Sequence, residues 1–390
     1  MLYNERMKKH MIIPIFISHM GCPHDCVFCN QRKITSKEKP VTIEEARKTI
    51  EAYLSGAQRE TYKELAFYGG SFTAIPIEEQ NKYLNLAKEY KDKGLIDGIH
   101  LSTRPDAINC QILDNLKIYG VDVIELGVQS FDNKVLKDSA RGHFAEDALA
   151  ASALIKEYGF DLGIQLMVGL PGDTLEKDVY SAMETVKVAP KLARIYPTIV
   201  IEDTALYDLY KAGRYKPLSV EEAVVRSCEI YKILYNADIK IMRVGLKSSP
   251  SINEGGDIAG DTFHPAFRQL VEGRLMRQIA EKLICEFMER TQSEAGETDG
   301  SSLNNKVTEP DESSLNHGKV KGKLYTSPKW FSNLVGNGKE NKIYLGRRFP
   351  KLDLRYQVDE CLDEASVCFV AVGYRRKASI VDLPCMMDES

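Results

Sequence analysis

The sequence predicts an α/β fold: a partial (β/α)6 barrel of the TIM type, followed by a small C-terminal α+β module. Three observations predict it. From Met11 to about Met242, short apolar runs alternate with helical stretches, at a spacing of roughly thirty residues that suits strand–helix units of a parallel sheet. The polar and glycine-rich motifs all follow strand-like runs, which is where such barrels gather functional residues. After Val244 the alternation stops.

Ile12 to Ile17 is a β-branched run and reads as the first strand. Thr42-Ile-Glu-Glu45 is a capping box opening a helix whose Ile43, Ala46 and Ile50 share one face. Glu64 to Tyr68 is a strand ending at Gly69-Gly70, and Pro76 to Lys93 a helix with proline at its start. Strands over Gly98–Ser102, Val123–Gly127, Leu162–Val168 and Leu192–Val200 alternate with helices over Cys110–Tyr119, Ala145–Tyr158, Thr174–Val188 and Val220–Asn236. Ile239 to Val244 makes a further strand. These units assign residues 1–245 to the barrel. Residues 246–290 form a connecting segment with a helix from Pro265 to Arg290. Residues 291–318 are nearly free of the large apolar side chains needed to offset ordering entropy and read as a disordered linker. Residues 319–390 form the small module, its clearest strand running from Val367 to Tyr374.

Composition excludes several classes. The net charge of −4 is not that of an overall electrostatic nucleic-acid binder, though Lys319, Lys321, Lys323, Lys329, Arg347 and Arg348 make the C-terminal module locally basic. No run of eighteen apolar residues appears, so no membrane span is expected. Met1 to His10 is charged and lacks the apolar core of a secretory signal. Nine unevenly spaced cysteines do not read as a disulfide framework and suit the reducing cytoplasm. Cys110, Cys228, Cys285, Cys361, Cys368 and Cys385 read as small packing residues.

The other three carry chemistry. Cys22, Cys26 and Cys29 lie in Gly-Cys-Pro-His-Asp-Cys-Val-Phe-Cys-Asn, directly after the first strand. Three thiolates at this spacing suit a four-iron cluster with one iron left open. They also suit zinc, with His24 or His19 as the fourth ligand. The lack of a second short Cys/His knuckle favours the cluster.

A three-cysteine loop after the first strand of a partial barrel resembles that of the radical S-adenosylmethionine (SAM) superfamily. The resemblance implies a [4Fe-4S] cluster on Cys22, Cys26 and Cys29 with SAM at the open iron. It implies reductive cleavage of SAM to a 5′-deoxyadenosyl radical, fed by a donor such as ferredoxin or flavodoxin. Gly69-Gly70-Ser71 is similar to the superfamily's glycine-rich motif that meets the SAM amino group. Gln129 and Arg141 match, in order and spacing, SAM-contacting positions of the oxygen-independent coproporphyrinogen oxidase branch. Gln165 aligns with an acidic residue of that branch, and Ser102 stands where related branches carry glutamate. These two departures bear on the ribose contacts, not on the cluster.

From Ile12 to Arg243 the chain resembles the radical domain of the Elongator complex catalytic subunit and its prokaryotic relatives. The shared strings are Thr103-Arg-Pro-Asp106, Glu125-Leu-Gly-Val-Gln-Ser130, Arg141-Gly-His143, Gly169-Leu-Pro-Gly172, Tyr196-Pro-Thr-Ile-Val-Ile-Glu-Asp203 and Tyr215-Lys-Pro217. That family adds a carboxymethyl-type group, derived from acetyl-CoA, to the wobble uridine of tRNA. The resemblance therefore implies a transferase with tRNA as partner. The first cysteine gap is shorter than the family's, and no phosphate-cradling acetyltransferase turn is found after Arg243; Val335-Gly-Asn-Gly338 reads as a hairpin turn. Two alternatives stay open: a radical SAM enzyme acting on a small molecule such as a porphyrin-like metabolite, and a zinc-stabilised, non-catalytic RNA-binding protein.

Overall fold

A computed structural model describes residues 10–17, 22, 26–30, 40–58, 60–249, 252–253, 255–296, 315–316, 319–362 and 365–385. In chain order it runs β1 (His10–Ile17), α1 (Ile43–Ser55), β2 (Tyr62–Gly69), α2 (Ile77–Asp92), β3 (Gly98–Thr103), α3 (Cys110–Ile118) and β4 (Val123–Gln129). There follow α4 (Asn133–Asp138), α5 (Ala145–Glu157), β5 (Asp161–Val168), α6 (Leu175–Val188), β6 (Leu192–Pro197), β7 (Val200–Ile201), α7 (Ala205–Lys211), α8 (Val220–Asn236), β8 (Lys240–Val244) and β9 (Ile258–Ala259). Seven strands pair in the order β1-β2-β3-β4-β5-β6-β8, parallel throughout. This is the curled sheet of a partial barrel. The run expected from Leu192 to Val200 divides after Pro197, which cannot donate to a ladder; β7 leaves the sheet and pairs antiparallel with β9.

Strand alternation sorts the side chains by face. Leu65 and Phe67, Ile99 and Leu101, Ile124 and Leu126, Leu162 and Ile164, and Ala193 and Ile195 share one face and are buried. The opposite, concave face carries Glu64 and Tyr68, His100 and Ser102, Glu125, Gly127, Gln165, Arg194 and Tyr196. The register carries this through the sheet, with Ser102 beside Glu125, Glu125 beside Gly163, and Gln165 beside Arg194. Outside, α1 starts as expected. Thr42 N donates to Glu45 Oε2 at 2.8 Å, and Glu45 N to Thr42 Oγ1 at 3.2 Å, while Ala46 and Ile50 are buried.

The chain divides into two compact units, Met1–Arg226 with Ala237–Pro265, and Ser227–Asn236 with Ala266–Ser390. The second holds α9 (Phe267–Gly296), β10 (Leu315–Asn316), β11 (Lys319–Thr326), α10 (Phe331–Val335), α11 (Glu340–Arg348), β12 (Leu352–Val358), β13 (Ser366–Ala371) and β14 (Tyr374–Ser379). The helix α9 is a core element of this unit. It buries Val271, Leu275, Ile279 and Leu283, and its Phe287 packs on Phe369 and Tyr374 with ring centroids 5.6 and 5.3 Å apart. It runs six residues past the expected Arg290 end. Of the expected linker, residues 297–314 and 317–318 lie outside the described residues, while Leu315–Asn316 pairs with β11. The Val335–Gly338 turn joins two helices and not two strands: Gly336 (φ 86°) follows α10, and Gly338 (φ 56°) precedes α11. Cys228 and Cys368 are buried as packing residues, whereas Cys110 and Cys361 are exposed. Among the described residues no helix is long and apolar enough to cross a membrane.

Candidate functional site

The motif loops meet at the carboxyl ends of the strands. Gly69 closes β2 at φ 115°, where a Cβ would come within 3.0 Å of the Ile17 carbonyl oxygen. Gly70 N then donates to that same oxygen at 3.1 Å. Two glycines thus press the second loop against the end of β1, from which the cysteine loop departs. Ser71 turns inward, with Oγ 2.9 Å from Thr103 Oγ1 and accepting from Arg104 N at 3.1 Å. The Cys26–Cys29 turn is pinned by backbone: Val27 N donates to Ser139 O at 3.1 Å, Leu206 N to Val27 O at 2.8 Å, and Cys29 N to Cys26 O at 3.0 Å.

Arg141 links this turn to β4. It is buried, its Nη1 donates to Cys26 Sγ at 3.2 Å, and its Nη2 donates to Gly127 O. Here β4 is irregular, its register with β5 shifting between Leu126 and Gln129, and Gln129 sits at φ 72°. A left-handed conformation in a non-glycine residue is held only by its surroundings. One holding contact is Gln165 Nε2, which donates to Gln129 Oε1 at 3.0 Å. A Cβ on Gly127 would lie 2.9 Å from Gln129 Nε2 and 3.0 Å from Arg141 Nη2, so glycine lets these two side chains share the place. Nearby, Arg104 makes a two-pronged bond to Asp106 at 2.9 and 2.9 Å. His143 is buried with neither ring nitrogen in a hydrogen bond of good geometry. Burial, then the charges of Arg141 and Arg104, lower its pKa to about 3.

Inside the concave face runs a chain of charges. His100, fully buried, has Nδ1 3.3 Å from Glu64 Oε2 and Nε2 3.5 Å from Glu125 Oε2. Glu125 pairs with Arg194 Nε at 2.7 Å and accepts from Ser102 Oγ at 3.2 Å. Burial would raise the Glu64 carboxyl, but hydrogen bonds from His10 and His100 outweigh it and hold it at about 2. Burial opposes charge on His100, yet Glu125 and Glu64 raise its pKa above the ordinary value. Arg194 continues to Tyr68 and Tyr196.

Of the residues expected at the site, Gly69 and Gly70 stand against the end of β1, Cys26 is met by Arg141, and Gln129, Gln165 and Arg141 form one cluster around Gly127. Ser102 is committed to Glu125. Cys22 is exposed and Cys29 half-buried. Among the described residues no group of three or more Cys, His, Asp or Glu side chains is arranged to hold a metal ion. The three cysteines expected as ligands are all sulfur donors, as a thiolate-bound cluster needs, and a guanidinium faces Cys26; His19 and His24, the alternative fourth ligands of a zinc site, lie outside the described residues. Sequence reasoning missed Glu64, His100, Glu125 and Arg194. Their signal was polar residues on one alternating face of apolar strands.

Residues 16–183 match the Radical SAM superfamily, and residues 190–277 match the Radical_SAM C-terminal domain. A tRNA uridine(34) acetyltransferase of Methanocaldococcus infernus is 30% identical over 254 residues, covering 55% of this chain and 47% of that protein. Elongator complex protein 3 of Homo sapiens is 28% identical over 259 residues, again 55% of this chain and 47% of that protein. The chain thus spans about half the length of these curated relatives. In fold it is similar to the archaeal Methanocaldococcus infernus Elp3 with an N-terminal deletion, at a TM-score of 0.55 and 24% identity over 69% of this chain and 63% of that one. With two successive matches running over more than half its length, the chain belongs to the radical SAM superfamily.

Proposed function

We propose that this chain is an enzyme that holds a [4Fe-4S] cluster on Cys22, Cys26 and Cys29, binds SAM beside it, and modifies a uridine of tRNA. The observation that carries the reading is the Arg141 contact, which ties Cys26 to the irregular end of β4. The bound cluster would supply the electron that cleaves SAM reductively. The protein's part is positioning. Gly69 and Gly70 admit close approach of the cofactor's methionine end to backbone. Arg141, joined to Cys26 and Gly127, would bring a positive charge to the cofactor's carboxylate, and Gln129, steadied by Gln165, would offer an amide beside it. The buried, largely apolar helix-facing side of the sheet would keep these loops in place. The tRNA uridine comes from relatives that are tRNA uridine(34) acetyltransferases, and the reading puts the enzyme in the cytoplasm with a ferredoxin- or flavodoxin-like electron donor.

Anaerobic reconstitution with iron and sulfide tests the cofactor half. Expected are bound iron and sulfide, visible absorbance and reductant-dependent 5′-deoxyadenosine, all lost in the Cys22→Ala/Cys26→Ala/Cys29→Ala variant. One zinc and no iron in anaerobically purified protein would overturn it. Nucleoside mass spectrometry of tRNA from cells with and without the protein tests the substrate half. Unchanged tRNA nucleosides with altered small metabolites would redirect the reading to a small molecule.

A further inference from the structure

Tyr68 and Tyr196 stand on β2 and β6, both half-buried, near the carboxyl ends of their strands. Both phenol oxygens accept from one guanidinium. Arg194 Nη1 donates to Tyr196 at 3.3 Å, and Nη2 donates to Tyr68. Arg194 cannot swing away. Its Nε pairs with Glu125 at 2.7 Å, and its guanidinium lies 4.7 Å from the centre of the Tyr68 ring. Glu125 is held in turn by His100 and Ser102. The Tyr68 ring is also fixed edge-on against His100, with centroids 5.6 Å apart.

A phenol oxygen that accepts from a guanidinium keeps its own proton to donate, and that proton points away from the arginine. Arg194 thus turns two tyrosines into two oriented donors. Tyr68 lines a small hollow with Ile17, Gly70 and Ser102, beside the glycine turn assigned above to SAM. Glu64 stands against His10 and His100, and Glu125 against His100 and Arg194, so each carboxylate of this wall is already matched to basic side chains. Paired phenol donors on one guanidinium, beside carboxylates already committed to their own partners, suit a ligand that presents carbonyl oxygens.

We propose that Tyr68 and Tyr196 are specificity residues: phenol donors, fixed by Arg194, that receive the carbonyl oxygens of a uracil base. Cytosine would set its amino group against a phenol proton, donor against donor, and a site built around hydrogen bonds rejects such a mismatch. The inference rests on the tRNA reading above.

The test uses full-length, cluster-reconstituted protein holding SAM, kept anaerobic, with tRNA carrying uridine or cytidine at position 34. Wild type is expected to prefer uridine by about tenfold, the scale of one or two hydrogen bonds. Tyr68→Phe and Tyr196→Phe keep the rings and are each expected to cut that preference severalfold. A second arm needs no variant to fold: wild type is offered 2-thiouridine or 4-thiouridine at the same position, sulfur being the poorer acceptor. Weaker binding of at least one is expected. A uridine preference unchanged in both variants, or equal affinity for uridine and both thio forms, overturns the phenol pair and leaves the tRNA reading standing. Wild type that binds neither tRNA overturns both.

Discussion

Glu125 is 1% exposed and faces two basic side chains, Arg194 at 2.7 Å and His100 at 3.5 Å. Removing one partner of a buried charge group leaves the others uncompensated, which costs about 3–5 kcal/mol. Glu125→Ala is therefore expected to lower unfolding free energy by about that much in urea titration. A loss below about 1 kcal/mol would mean that the cations reach water and that the interior is not the dry network described. Gly127 makes a separate prediction. A methyl group there would displace Gln129 and Arg141 from 2.9 and 3.0 Å, so Gly127→Ala should weaken SAM binding about tenfold while leaving iron content near wild type. Calorimetric SAM titration checks it, and unchanged affinity would remove both side chains from the cofactor site. The cysteines and glycines were legible because their chemistry is local in sequence. Arg194 was not, because its partner Tyr68 lies 126 positions away and only the sheet brings them together.

Most elements could be read from capping and periodicity, since both are set within a few residues of chain. Thr42→Ala removes a side-chain cap of α1 that accepts from Glu45 N at 3.2 Å, and about 1 kcal/mol of stability should go with it. Gly69→Ala asks more of its element. Its backbone is at φ 115° and the new Cβ would meet the Ile17 carbonyl oxygen at 3.0 Å. The β1–β2 end should open, and iron incorporation on reconstitution should fall although no ligand has changed. Full iron loading in Gly69→Ala would show that the cysteine loop does not depend on this turn. The sequence misread elements where a partner decides. Val200–Ile201 has the composition of a continuing strand, but pairing with Ile258–Ala259 takes it out of the barrel. The β-branched content of the run says nothing about which neighbour it will find.

Across the whole molecule, two histidines oppose each other as pH changes. His143 has its pKa lowered from 6.5 to about 3 by burial and by Arg141 and Arg104. The unfolded chain therefore takes up a proton that the folded one refuses, and stability falls as pH drops from about 6.5 toward 3. Glu64, lowered from 4.5 to about 2, adds to the acid loss over that lower window. His100 is raised above 6.5 by Glu125 and Glu64 against the cost of burial. Its contribution is complete below 6.5 and is lost as pH rises through its folded value. Urea midpoints are expected to be highest near pH 6.5 and to fall on both sides. His143→Gln should flatten the acid limb and His100→Gln the alkaline limb. Limbs that keep their slopes in these variants would assign the pH dependence to other groups.

By itself the sequence determined the barrel class, the order of its seven parallel strands and the main helices between them, and the three-cysteine loop, because strand and helix periods and motif spacings are written along the chain; the superfamily followed from the resemblance of its motifs. Only the tertiary structure decided that α9 belongs to the core of the second unit, that Arg141 faces both Cys26 and Gly127, and that Glu64, His100, Glu125 and Arg194 join into one buried chain ending on two tyrosines. Those relations depend on parallel register and on which face of each strand turns inward. A shift of one residue would reverse that face for a whole strand. Charge pairing across four strands therefore exists only once the sheet has curled.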